Sequence, residues 1–155
     1  MKWGIPPIIK IYEALGTVAD DRIEINGLNA KVYSSSRKKY YSIKYDPETN
    51  SIMANDNASY YIGYLGYPSI AFLMKIGELD FSEKYSKALE GIRWKDINVK
   101  FKNDFSKTQK YVDDILVSKG VDLILFHTYL DAVLNQIKSK DLNLLGEKEM
   151  PPKGY

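Results

Sequence analysis

Residues 60–76 read YYIGYLGYPSIAFLMKI, the most apolar run in the chain, with Lys75 as its only charge. Pro68 suits the first turn of a helix, where its missing N–H is no loss. Ile70, Phe72, Leu73, Met74 and Ile76 then follow around nearly the whole circumference, and a helix that is apolar all round must be buried all round. At roughly 1.5–3 kcal/mol for each fully buried large side chain, these residues supply a large share of the folding drive before entropy is subtracted. The reading is a buried central helix that the rest of the chain wraps. A membrane span is the poorer reading. The run is at the short limit for a bilayer and contains two glycines, a proline and several tyrosines.

The 155 residues suit one domain, assigned to residues 1–145, with an extended tail at 146–155 introduced by Gly146 and Pro151-Pro152. The apolar fraction of 45% and charged fraction of 27% are those of an ordinary globular protein. With no cysteine and one histidine, His127, thiolate chemistry is excluded, and a zinc site would need carboxylates for nearly every ligand, so no metal and no cofactor is expected. The N-terminus lacks the uninterrupted apolar stretch of a signal peptide, because Lys10 and Glu13 break it, and a cytoplasmic location is expected.

Before the central helix, Ile8, Ile11, Tyr12, Leu15 and Val18 recur at helical spacing and predict an N-terminal amphipathic helix. From Arg22 the period changes to two. Ile23 and Ile25, the Asn26-Gly27 turn, then Ala30 and Val32 predict a hairpin. Lys39, Tyr41, Ile43 and Tyr45 alternate with Lys38, Tyr40, Ser42 and Lys44 as a third strand, and a Pro47-containing turn leads to a fourth at 51–54. Asp46, Glu48 and Asn50 have the alternate spacing of a calcium loop, but Pro47 and the lack of a sixth-position glycine favour a plain turn. Beyond the central helix, Asp80 and Glu83 have capping-box spacing before a helix with Phe81, Tyr85, Leu89 and Ile92. Arg93 to Lys102 alternates Ile97, Val99 and Phe101 as a fifth strand. Asp104 caps a further helix that ends before Gly120. Leu123, Phe126, Leu130, Val133 and Ile137 predict a long final helix from about Asp122 to Lys138, in preference to a strand at 121–126. The fold class is therefore α+β: an N-terminal helix, a four- or five-stranded, mostly antiparallel meander, a buried central helix and a helical C-terminal half.

No phosphate loop or dinucleotide-binding turn is present. Gly63-Tyr64-Leu65-Gly66 has the spacing of the GXXG loop of KH domains, but its middle residues are not basic and the order of elements differs, so the glycines read as points of close backbone approach. In the helical reading His127 flanks an apolar face and is a packed structural residue. One pattern stands out. Period two places Arg22, Lys31, Tyr33, Lys38, Tyr40 and Lys44 on the wet face of the sheet. Between Arg22 and Lys44 six basic residues oppose Glu24 alone, whereas the whole chain carries only +2. Lysines displace phosphate counterions and tyrosines stack on unpaired bases, which points to a binding module for single-stranded nucleic acid. Residues 93–110 form a second stretch of this kind, with Arg93, Lys95, Lys100, Lys102, Lys107 and Lys110. Lysines on a wet face also need no ligand, since they protect edge strands. The alternative reading is a protein partner or homodimer held through the final helix, where Leu125, Tyr129 and Leu134 flank its seam. An enzyme is a third reading, with no catalytic residue assignable.

Overall fold

The computed structural model describes residues 1–153. The final two positions of the tail assigned at 146–155 lie outside the described residues. Helix α1 spans Ile9–Ala19; strands β1 Ile23–Asn26, β2 Asn29–Tyr33, β3 Tyr40–Asp46 and β4 Ser51–Ala54 follow it. One turn of π-helix at Ala58–Ile62 leads to α2, Tyr67–Lys75, and then come α3 Glu83–Ala88, α4 Trp94–Lys100, α5 Phe105–Ser118, α6 Leu123–Lys140 and β5 Asn143–Leu144. The class is α+β, with one five-stranded sheet in sequence order, β1 to β4 antiparallel and β5 parallel to β4.

The central helix is α2. Pro68 stands in its first turn and residues 68–74 are all buried, with Phe72 edge-on to Tyr45 of β3 at 5.8 Å between ring centroids. It packs on β1, β3 and β4 on one side and on α1 on the other. Helix α1 was expected to bury one stripe, yet residues 9–17 are buried without interruption, Lys10 and Glu13 included. Its far side is covered by α3, α5 and α6. The chain thus stacks sheet, α2, α1 and outer helices.

The meander follows its periodicity. Glu24 pairs with Lys31, Val32 with Tyr41, and Tyr33 with Tyr40, while Gly27 makes its turn at φ +62°. Asp46 accepts from the Glu48 amide and the Thr49 hydroxyl, which closes the next turn. Ile25, expected in the core, is 39% exposed, because its strand lies at the sheet edge opposite small Ala30. Met53 shares the outer face with Lys44 yet is buried. The chain after β5 crosses it: the Leu145 amide donates to Ile52 O, Asn55 Nδ2 to Met150 O, and Lys44 pairs with Glu149 at 3.2 Å.

Two assignments of local structure are also corrected. Trp94–Lys100 form α4, where the alternation predicts a fifth strand over Arg93 to Lys102. Trp94, Ile97 and Phe101 recur at three- and four-residue spacing and face inward, whereas Val99, which the strand reading put beside them, is 70% exposed. The fifth strand is β5, too short to leave a periodic signal. The cap of α3 is Ser82, whose hydroxyl accepts from the Tyr85 amide, not Asp80. The final helix does begin after Asp122, whose carboxylate accepts from the Ile124 and Leu125 amides, and no strand forms at 121–126.

Candidate functional site

The hairpin turn between β2 and β3, Ser34 to Lys39, leans against α4, and the Lys95 amide donates to Ser35 Oγ at 3.2 Å. Between them opens a cleft of about 360 Å³ that continues past Tyr41 and Tyr67 into a second lobe of about 430 Å³ beside the π-turn. Volumes of this order suit a small organic ligand or one unit of a polymer. Ser34, Ser35, Ser36, Lys39, Lys95 and Lys102 line the outer lobe; Lys10, Asp56, Tyr61, Tyr64 and Phe105 line the inner one; Glu13, Tyr41, Asn57, Tyr67, Asn98 and Asn103 belong to both. A shallower groove lined by Lys38, Arg93, Lys95 and Asp96 joins the outer end at Ser35 and Ser36.

The floor carries an unusual amount of buried charge. Lys10 Nζ lies 3.3 Å from Glu13 Oε1, one helical turn along α1, and both residues are at least nine-tenths buried. Burial works against the Lys10 ammonium, but Glu13, assisted by Tyr64 and Asp56, outweighs it and holds the pKa above its usual value. Asp56 is enclosed beneath the N-terminus of α2; burial pushes its carboxyl up, while the Ser59 hydroxyl at 2.6 Å and the Ser59 amide at 3.2 Å, together with Lys10, pull it down. Burial also raises the Tyr41 phenol, to about 12, and the Tyr67 phenol further, with nearby carboxylates adding to both. Lys39 goes the other way, its charge disfavoured first by burial and then by Lys95.

Among the described residues, some polar atoms here are unsatisfied. Asn98 Nδ2 donates to Glu13 Oε1 at 3.4 Å, which fixes the amide's orientation and leaves the buried Oδ1 without a donor. The Trp94 indole N–H is also unpartnered, lying where a side chain at Gly16 of α1 would be, 2.9 Å from an ideal Cβ. At the cleft edge Lys102 and Asn103 both adopt positive φ, +53° and +60°, a sparsely populated backbone that the α4–α5 junction enforces.

The wet sheet face holds most of the residues expected on it. Lys31 lies over the Tyr40 ring at 4.8 Å, Tyr33 and Tyr40 are 5.9 Å apart, and Lys38 is exposed on the adjoining turn. Lys44 is held by Glu149. Arg22 departs from the expectation. It precedes β1, is 2% exposed, and donates to Tyr33 O and Thr17 Oγ1 from the inner side, because the bend after α1 turns it under the sheet. On α6, Leu125 is 58% exposed, whereas Tyr129 is half-buried with its hydroxyl donating to Asp80 O, and Leu134 packs on the core. His127 Nε2 lies 3.0 Å from Asp113 Oδ2 and 3.2 Å from the Tyr12 hydroxyl, which donates to Asp113 Oδ1 at 2.6 Å; the three tie α1, α5 and α6 together away from the cleft.

The cleft floor was not anticipated. In the sequence Lys10 and Glu13 stand out only as interruptions of an apolar segment, although their i, i+3 spacing allows mutual neutralisation in a buried setting. Lys39 carried a clearer signal, since it has the parity of inward-facing Tyr41, Ile43 and Tyr45. Among the described residues no cluster of three His, Asp or Glu is placed to hold a metal ion, and no helix is long and apolar enough to cross a membrane.

Residues 3–143 match the family described as "Uncharacterised conserved protein UCP014422", and the chain belongs to that family. No curated protein and no solved structure matches the chain.

Proposed function

We propose that the protein is a binding module for single-stranded nucleic acid that holds the strand's phosphates at the Ser34–Lys39 turn. The observation that carries this reading is the convergence of the two lysine-rich stretches. Lys38 and Lys39 from one, and Arg93, Lys95 and Lys102 from the other, gather around three serine hydroxyls, with Asp96 as the acid of the joining groove. Lys39 and Lys95 bring two ammonium groups to the turn, where a phosphate meets charge-assisted donors. Tyr33 and Tyr40 flank the same turn on the wet face and offer stacking surfaces to bases leaving it. Arg22 contributes from beneath the turn rather than from the sheet surface.

Fluorescence anisotropy with labelled single-stranded and duplex 12-mers across a salt series tests this. Single strands should bind more tightly, with log affinity falling linearly in log salt. The slope should become shallower by about 0.7 for each phosphate contact removed in a Lys38→Gln, Lys39→Gln, Lys95→Gln variant. A Lys31→Gln, Lys44→Gln variant, confined to the sheet face, should change the slope less. Absence of binding at low salt, or an unchanged slope in the triple variant, would defeat the reading.

A second reading, assembly with another protein or a second copy, is favoured by the start of α6, where Ile124 and Leu125 are 80% and 58% exposed. Light scattering of the Leu125→Lys protein tests it. A dimer that the substitution dissociates supports it, and a monomer at all concentrations removes it.

A further inference from the structure

We infer that the bound strand runs from the turn along β2 and β3 as far as Lys44, and that Glu149 of the chain after β5 makes the contact there that a phosphate of the strand would take. This deepens the reading above and rests on a strand whose phosphates reach the Ser34–Lys39 turn. The register lays out the path. On the wet face Tyr33 stands beside Tyr40, Lys31 beside Ser42 and Asn29 beside Lys44, so successive rungs lead away from the turn in steps of about 7 Å. The Lys31 ammonium leans over the Tyr40 ring at 4.8 Å, back towards the turn and away from Glu24, its neighbour on β1. Lys44 lies four residues beyond Tyr40, about 14 Å further along β3. One lysine therefore meets the strand close to the turn and the other meets it at a later phosphate. Between them opens a groove of about 420 Å³, where Asn26, Asn29 and Ser42 offer both donors and acceptors and Glu24 is the acid of the β1 side.

On the β4 side the chain after β5 walls the path. Met53, the residue opposite Lys44, is 1% exposed beneath it, and Asn55 and Lys148 fasten it through Met150 O and Tyr60 O. From this wall Glu149 Oε2 reaches to 3.2 Å from Lys44 Nζ, with the Lys44 and Glu149 side chains 53% and 47% exposed. An ion pair so open to water contributes little, and a phosphate oxygen gives the ammonium the same charge-assisted contact. The Glu149 carboxylate can swing aside about its own side-chain bonds while the bonds to Met150 O and Tyr60 O keep the wall, and the cover over Met53, in place. The strand then exchanges one anion for another on Lys44. In the wild-type protein that exchange adds little to affinity or to its salt dependence, and removing the Glu149 charge uncovers the contribution of Lys44.

The test is a gain of binding. Glu149→Gln keeps the size of the side chain and removes its charge at a position where folding is not at stake. With a labelled single-stranded oligothymidine 12-mer, affinity at low salt should rise roughly threefold, the worth of one exposed ion pair, and the slope of log affinity against log salt should steepen by about 0.7, the mark of one further phosphate contact. Glu147→Gln removes the same charge two residues earlier on the same segment and should leave the slope unchanged. In a Lys44→Gln background, Glu149→Gln should gain nothing. Equal gains from Glu147→Gln and Glu149→Gln would show a general effect of charge and overturn the subsite. So would a gain that survives in the Lys44→Gln background, or no gain at all; in each of these cases binding that still depends on Lys38, Lys39 and Lys95 leaves the turn reading standing. Failure of the wild-type chain to bind the strand at low salt overturns both.

Discussion

Gly66 closes the chain around Asp56, and adding one methyl group there is the sharpest test of the cleft floor. An ideal Cβ at position 66 would lie 2.2 Å from Asp56 Oδ2 and 2.8 Å from its Cγ, where ordinary contact begins near 3.4 Å. The backbone itself does not object, since Gly66 has φ −77° and ψ 169°, a conformation open to alanine. The whole effect of Gly66→Ala therefore falls on the carboxylate. Asp56 is 3% exposed and fixed by both bonds from Ser59, so it must move by about an ångström into packed surroundings or give up a charge-assisted bond. Overpacking of this kind costs about 1–3 kcal/mol, and loss of a hydrogen bond to a charged group about 1.5–3 kcal/mol. Because the two are alternatives in part, we expect about 2–4 kcal/mol, read from urea midpoints at constant m value, or a fall in Tm of roughly 5–15 °C for a chain of this size. The decisive comparison is the double variant. In an Asp56→Ala background the obstruction is gone, and Gly66→Ala should cost less than about 0.5 kcal/mol or stabilise slightly through the unfolded chain. Equal losses in both backgrounds, or a loss under about 0.5 kcal/mol in the wild-type background, would refute the packing argument.

Two other perturbations address buried groups. The Asp56 carboxyl holds its proton more tightly in the folded chain than at its ordinary value of 3.8, so the folded state binds more protons in the window above that value. Its contribution to stability is then complete below about pH 4 and is lost as pH rises through the raised pKa. Asp56→Asn should gain stability relative to wild type as pH increases from 4 towards neutrality; a stability difference that stays flat with pH would contradict the raised pKa. Tyr12→Phe removes the hydroxyl that donates to Asp113 Oδ1 at 2.6 Å in a fully buried position, while His127 keeps its contact with the other carboxylate oxygen. The loss should be about 1–3 kcal/mol, with no change in oligonucleotide affinity, because the network lies outside the cleft. A variant as stable as wild type, measured by urea unfolding, would show that Asp113 finds another donor.

The parts of the fold that were legible from sequence are those in which one chemical pattern dominates. Pro68 followed after Ser69 by five apolar residues in a row reads as a buried helix, and the alternation from Ile23 to Tyr45, interrupted by Asn26-Gly27, could hardly be anything but a meander. Residues 93–102 were not of that kind. Ile97, Val99 and Phe101 satisfy period two, and Trp94, Ile97 and Phe101 satisfy a helical period equally well, so only the burial of Trp94 and the exposure of Val99 decide between them. That ambiguity propagated to the site. Helix α4 supplies Trp94, Lys95 and Asn98 to the cleft and covers the side of α1 that carries Glu13. With 93–102 read as a strand, that side of α1 is the polar face of an amphipathic helix, and Lys10 and Glu13 are ordinary surface charges. Periodicity reports which face of an element is apolar; it does not report whether another element later covers the polar face. The buried pair becomes visible only once α4 is in place. For the same reason Lys38, predicted for the open sheet, adjoins a cleft whose wall its own stretch of sequence helps to build, through Lys39 and Tyr41.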